Sequence, residues 1–147
     1  MSMRLVAVAV ATVACVSCGG SAPSSETSAP AAASPRVFFM QPTGGATVKS
    51  PVNFVFGSES FTISPVPQGE VTTVRPAMGH YHLGVDTDCL PAGQVIPKAD
   101  PWIHFGTGKN TIEMQLKPGP HKFSVQAGND LHATIAGLCE TITITVE

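Results

Sequence analysis

An all-β fold, an immunoglobulin-like β-sandwich of about seven or eight short strands, is what this sequence predicts. Three observations carry it. Short runs with period-two alternation follow one another from Arg36 onward. Glycine and proline clusters separate them, as turns require. No stretch carries the three-and-four spacing of an amphipathic helix. Strands at this spacing are those of a two-sheet sandwich, with a small barrel as the alternative.

Residues 1–17 read as a signal peptide. Met1–Arg4 supply a short cationic start, and Leu5–Val16 are apolar apart from Thr12. A membrane-spanning helix needs about 20 apolar residues, whereas the core of an export signal needs roughly 7–15. The run therefore predicts export, to the cell envelope or periplasm.

Cys15 and Cys18 follow, each preceded by small residues, and Val16-Ser17-Cys18-Gly19-Gly20-Ser21 looks like a bacterial lipobox without its usual leucine. Processing before Cys18 leaves Cys89 and Cys139 as an even pair in an oxidising compartment. Processing before Cys15 would leave a spare thiol. The expectation is lipidation at Cys18 and anchoring to a membrane, with processing at Cys15 and plain secretion as alternatives. Residues 18–35 are Ser, Ala, Pro and Gly apart from Cys18, Thr27 and one charge, Glu26. Such a segment buries too little apolar surface to offset its ordering entropy, so it predicts a disordered linker.

The folded domain is expected over residues 36–147. Candidate strands are Val37–Met40, Val52–Phe56, Phe61–Ser64, His80–Asp86, Trp102–Phe105, Thr111–Leu116, His121–Ala127 and Glu140–Val146. In the last, Ile142, Ile144 and Val146 should face the core and the intervening threonines should face out. Met40 and Met114 follow the core parity and read as packing residues. Cys89 and Cys139 flank two strands, and a disulfide between them would close a loop of about 50 residues, stabilising the fold by ~4 kcal/mol.

Charge and motif content exclude several function classes. Eight Lys+Arg against ten Asp+Glu, with no basic run, leave no nucleic-acid footprint. No serine sits in a nucleophile elbow, and the carboxylates are dispersed, so no catalytic residue is assigned.

The five histidines, all inside the domain, are the chemistry-bearing pattern. Within Met78–Asp86, Tyr81, Leu83 and Val85 form an apolar set that should pack inward. His80, His82 and Asp86 then share the opposite face. In Trp102–Phe105, Ile103 and Phe105 should face the core, which turns His104 outward. If the two strands pair, facing Cβ atoms would lie roughly 4.5–5.5 Å apart. His80, His82 and His104 could then share a Cu or Zn ion, since imidazole suits both. His132, in the loop Gly128–His132, could swing toward the site, and Asp86 could fix a ring from outside it. His121 shares parity with Phe123 and Val125 and should pack at a strand start. The plain alternative is a solvated strand face.

At these residues the sequence resembles the bacterial domain-of-unknown-function 4399 family. The likeness rests on Gln41-Pro42 with Gly44-Gly45, Ser50-Pro51-Val52, Gly79-His80-Tyr81-His82-Leu83, Ile103-His104-Phe105-Gly106 with Gly108, Lys117-Pro118-Gly119-Pro120-His121, Gly128 with His132, and the Ile-Thr-Val ending. The resemblance implies an exported, histidine-rich protein without an established activity. Three departures stand out: Tyr81 replaces a third consecutive histidine, Lys109-Asn110 replace a Gln-Thr pair, and no second histidine follows His132. A His-x-His strand with a disulfide to the last strand is also superficially similar to copper–zinc superoxide dismutases, but their full ligand set is missing. Two functions follow from the sequence: an envelope protein binding Cu or Zn, or a structural or protein-interaction module whose histidines are incidental.

Overall fold

The computed structural model describes residues 33–147. The expected signal peptide, Cys15, Cys18 and most of the expected linker lie outside the described residues. Within them the chain forms nine strands and no helix: β1 (Arg36–Gln41), β2 (Thr47–Val48), β3 (Val52–Glu59), β4 (Thr62–Ile63), β5 (Met78–Val85), β6 (Trp102–His104), β7 (Thr111–Met114), β8 (Gly119–Gly128) and β9 (Thr134–Val146).

The strands make two sheets, a sandwich rather than a closed barrel. One has the order β1-β3-β7, and the other runs β2-β9-β8-β5-β4 with β6 also paired to β5. All eight expected strands appear, with ends shifted by a few residues. The ninth, β2, is a two-residue parallel pairing of Thr47 and Val48 with the end of β9. It is too short to carry a periodic signal.

Between the sheets lies an aromatic core. Phe54 packs against Phe123 with tilted rings at 4.5 Å between centroids, and Phe56 meets Tyr81 at 5.4 Å and Phe105 at 5.3 Å. These contacts join β3 of the smaller sheet to β8, β5 and the end of β6. Leu83, Val125, Ile144 and Val146 complete the inner face as their alternation requires. Each such fully buried apolar side chain contributes about 1.5–3 kcal/mol. Met114 packs against this core. Met40 does not: it is 55% exposed. Val37 and Phe39 are the inward residues of β1, so alternation turns Met40 outward on the face of Phe38.

Part of the outer face of the larger sheet is covered as well: Ser124 and Gln126 are buried there, while Thr141, Thr143 and Thr145 of β9 are exposed. Residues 86–101, between β5 and β6, fold back over the buried part. The Ser124 hydroxyl donates to Thr87 O at 2.8 Å, and the Gln126 amide both donates to Leu90 O and accepts from Leu90 N–H. Further along, Ile96 N–H donates to His132 O, and Gly93 N–H to Thr134 O. Ile96 is 1% exposed and Trp102, on the same face, 4%. The disulfide Cys89–Cys139 ties this covering segment to β9. The sandwich thus carries a second buried layer outside its main core.

Candidate metal centre

That second layer is where the histidines lie. Along β5, Tyr81 and Leu83 point into the aromatic core, and His80 and His82 point to the other side. The β5–β8 register sets His82 opposite Gln126 and His80 opposite Gly128. On the other flank of β5, β6 pairs antiparallel and sets His82 opposite His104. Three imidazoles on two hydrogen-bonded strands therefore face one space. His132 joins them from the turn between β8 and β9.

The four rings form a compact cluster. Centroid separations run from 4.7 Å for His80–His82 to 5.7 Å for His82–His132. One nitrogen from each ring can be chosen so that all four lie within 4.8 Å of one another. His104 Nε2 and His132 Nε2 are 3.0 Å apart, one donating and the other accepting.

Glycines make the room. A Cβ on Gly106 would collide with the His104 ring, and one on Gly128 would come within 3.0 Å of His82 Cε1. The same Cβ on Gly128 would lie 3.2 Å from the His132 Cα. Gly79, next to His80, would meet the carbonyl of Gly128.

His80 and His82 are both 0% exposed, whereas the sequence alone allowed a solvated face. The physical reason is the covering segment 86–101, whose return over the sheet has no periodic signature. All four ring nitrogens of His80 and His82 are buried without a hydrogen-bond partner. A polar group buried in this way costs about 1–3 kcal/mol relative to water. Native interiors rarely tolerate several such atoms side by side.

Electrostatics keep the rings neutral. Burial, with smaller contributions from His132 and His104, pushes His80 down to about 4. Burial and then the His80 and His104 rings push His82 down to about 2. His104 and His132 are lowered too, by burial first and then by the Lys98 ammonium. Neutral imidazoles present free lone pairs, the form in which histidine binds metals. The residues present fit a transition-metal ion: four neutral nitrogens, orphaned or shared among themselves, facing one another in a dry pocket. Four nitrogen donors suit Zn or Cu, while Mg and Ca prefer oxygen.

The remaining candidates lie elsewhere. His121 is half-buried at the start of β8; its Nδ1 lies 3.2 Å from Asp86 Oδ2, and its Nε2 donates to Lys117 O at 2.9 Å. Asp86, expected to support the ligands, takes up its oxygens on His121 and on the Lys122 N–H. It stands beyond the end of β5 in a left-handed conformation (φ 52°), so the strand parity that put it with His80 and His82 has lapsed. Asp88 pairs with Lys122.

Sequence reasoning missed Asp130 and Arg75, beside the loop histidine His132. Asp130 is fully buried, and Arg75 holds its carboxyl below the usual carboxylate range by direct hydrogen bonds. The available signal was Asn129-Asp130 just before His132, a pair that favours a side-chain-stabilised turn.

Tyr81, where a histidine could have added a ligand, faces the core, so that departure removes nothing from the cluster. Asn110 likewise serves the fold: its amide donates to Phe56 O at 3.1 Å.

No curated protein and no solved structure matches this chain. A family model does, over residues 55–147, a span that holds all four clustered histidines, both disulfide cysteines and the Arg75–Asp130 pair. Gln41-Pro42 and Ser50-Pro51 precede it. The chain belongs to the family described as Domain of unknown function (DUF4399).

Proposed function

We propose that this is an exported, lipid-anchored envelope protein that binds one transition-metal ion, Cu or Zn, through His80, His82, His104 and His132. One observation carries the reading: His80 and His82 bury four ring nitrogens without partners, against two further imidazoles whose nitrogens complete a set within 4.8 Å. An ion would engage one partnerless nitrogen from each of those two rings. With four protein ligands and none of them a water, the shell is that of a holding site, which catalytic zinc sites are not. A carrier or buffer fits it better than an enzyme.

Export is supported by the apolar Leu5–Val16 run and by the Cys89–Cys139 disulfide, since such bonds persist in oxidising compartments. Anchoring rests on the lipobox-like residues around Cys18.

Calorimetric titration of the chain, carrying no histidine tag, with Cu and Zn tests the metal reading. It should show one ion per chain at micromolar affinity or tighter, lost in His82→Ala. Heats that are unchanged by that substitution would instead leave a non-catalytic interaction module.

A further inference from the structure

Three of the four clustered imidazoles stand on strands, and His132 comes from a turn. Its backbone is left-handed, with φ 63°, a conformation that side-chain-bearing residues seldom adopt. Something must hold it. Part of the restraint is local: His132 N–H donates to Asn129 O at 2.8 Å, and Asn129 Oδ1 accepts from Leu131 N–H at 2.9 Å and Ala133 N–H at 3.0 Å.

More comes from far away in sequence: the Ile96 N–H bond to His132 O, at 2.9 Å, and an ion pair. Asp130, two residues before His132, has a fully buried side chain gripped by Arg75. The Arg75 backbone N–H donates to Oδ2 at 2.9 Å, Nε to Oδ2 at 3.0 Å and Nη2 to Oδ1 at 2.7 Å. The same guanidinium donates to Ser64 Oγ and to Pro65 O, both at 2.9 Å. It thereby joins the end of the β4 region to the turn that carries His132.

We propose that Arg75 and Asp130 are positioning residues, a latch that holds His132 against His80, His82 and His104 and so sets how firmly the centre retains its ion. This inference rests on the metal-binding reading and adds a regulatory element to it. His80, His82 and His104 have their backbones held in the β5–β8 and β5–β6 ladders, so only a side-chain rotation can move their rings. His132 can leave when its turn relaxes. It is then the ligand through which an ion is loaded and released, and the ion pair decides how often the turn lets go. A bidentate grip of this kind is specific to arginine, because lysine offers a single point of charge.

Asp130→Asn and Arg75→Lys test the latch from its two sides, each compared with the unaltered chain and with His132→Ala. In the metal-free protein, imidazole 15N spectra should show His132 displaced in both variants, with His80 and His82 unmoved. Zinc affinity, measured by competition with a chelator, should fall about ten-fold or more, the usual effect of losing a group that orients a ligand. In the His132→Ala background, Asp130→Asn should have no further effect on affinity. A lowered melting temperature with His132 resonances and zinc affinity unchanged would make the pair mere structural glue and overturn the proposal, as would additive effects in the His132→Ala background. Absence of zinc binding by the unaltered chain would remove the metal reading, and the metal-free His132 spectra alone would then decide the latch.

Discussion

His82 stands directly opposite His104 across the β5–β6 ladder, their ring centroids 5.1 Å apart. The rung behind them pairs Leu83 with Ile103 on the opposite face. One stretch of sheet therefore packs the core with one set of side chains and assembles imidazoles with the other.

The first prediction concerns what the imidazoles cost. Replacing His82 by Phe removes two partnerless buried nitrogens and keeps a ring of similar shape. Metal binding should be lost, yet the metal-free protein should gain about 1–3 kcal/mol of stability. Chemical denaturation in the presence of a chelator checks this. A destabilised metal-free variant would mean that those nitrogens are satisfied in solution.

A pH dependence follows from the same rings. An unfolded imidazole titrates at about 6.5, whereas folded His80 is pushed down to about 4 and His82 to about 2. Above pH ~6.5 both states are neutral there, and these rings impose no slope. Below it the unfolded chain takes up protons that the folded chain refuses, so stability falls as pH drops. Each ring should contribute a loss of about 2 kcal/mol by pH 5. His80 stops contributing below about 4, and His82 continues lower. Melting curves of the metal-free protein should show this loss, and His80→Phe/His82→Phe should flatten it. An identical profile in the double variant would refute the assignment.

Gly106→Ala places a methyl group against the His104 ring. The ring must rotate away, so zinc affinity should drop about ten-fold or more while the fold loses at most about 1–2 kcal/mol. Paired titration and thermal melting measure both effects. Full affinity in this variant would show that the ring has other room.

The disulfide should act on both the fold and the cover. Cys89→Ala/Cys139→Ala opens a link between residues 50 apart and should cost about 4 kcal/mol. Hydrogen exchange should also quicken at Gly93 and Ile96, whose N–H groups bond to Thr134 and His132. Unchanged exchange there would mean that the segment over the histidines is held without the covalent tie.

What could be read from the sequence follows the reach of local rules. Strand alternation is a local property, so Ile142, Ile144 and Val146 inside, His80 and His82 on one face and His104 turned outward were legible from residue parity, whereas the β5–β6 pairing that joins them was an assumption. The cysteine pair was legible by parity of number. Depth was not, because alternation says which way a side chain points and nothing about what covers it. The return of residues 86–101 over the sheet is a tertiary event, and it turns an apparently solvated face into a dry one. Asp86 was misplaced because a strand end reset the parity, and Met40 because it stands on the outer face with Phe38, opposite Val37 and Phe39. The Arg75–Asp130 pair joins residues 55 apart, so the Asn129-Asp130 turn was legible locally but its partner was not.

X-ray absorption on protein loaded with one equivalent of zinc tests the central claim most directly. The account predicts a shell of four imidazole nitrogens at about 2.0–2.1 Å, reduced in His82→Ala. A shell dominated by oxygen, or one that is the same in both proteins, would contradict it.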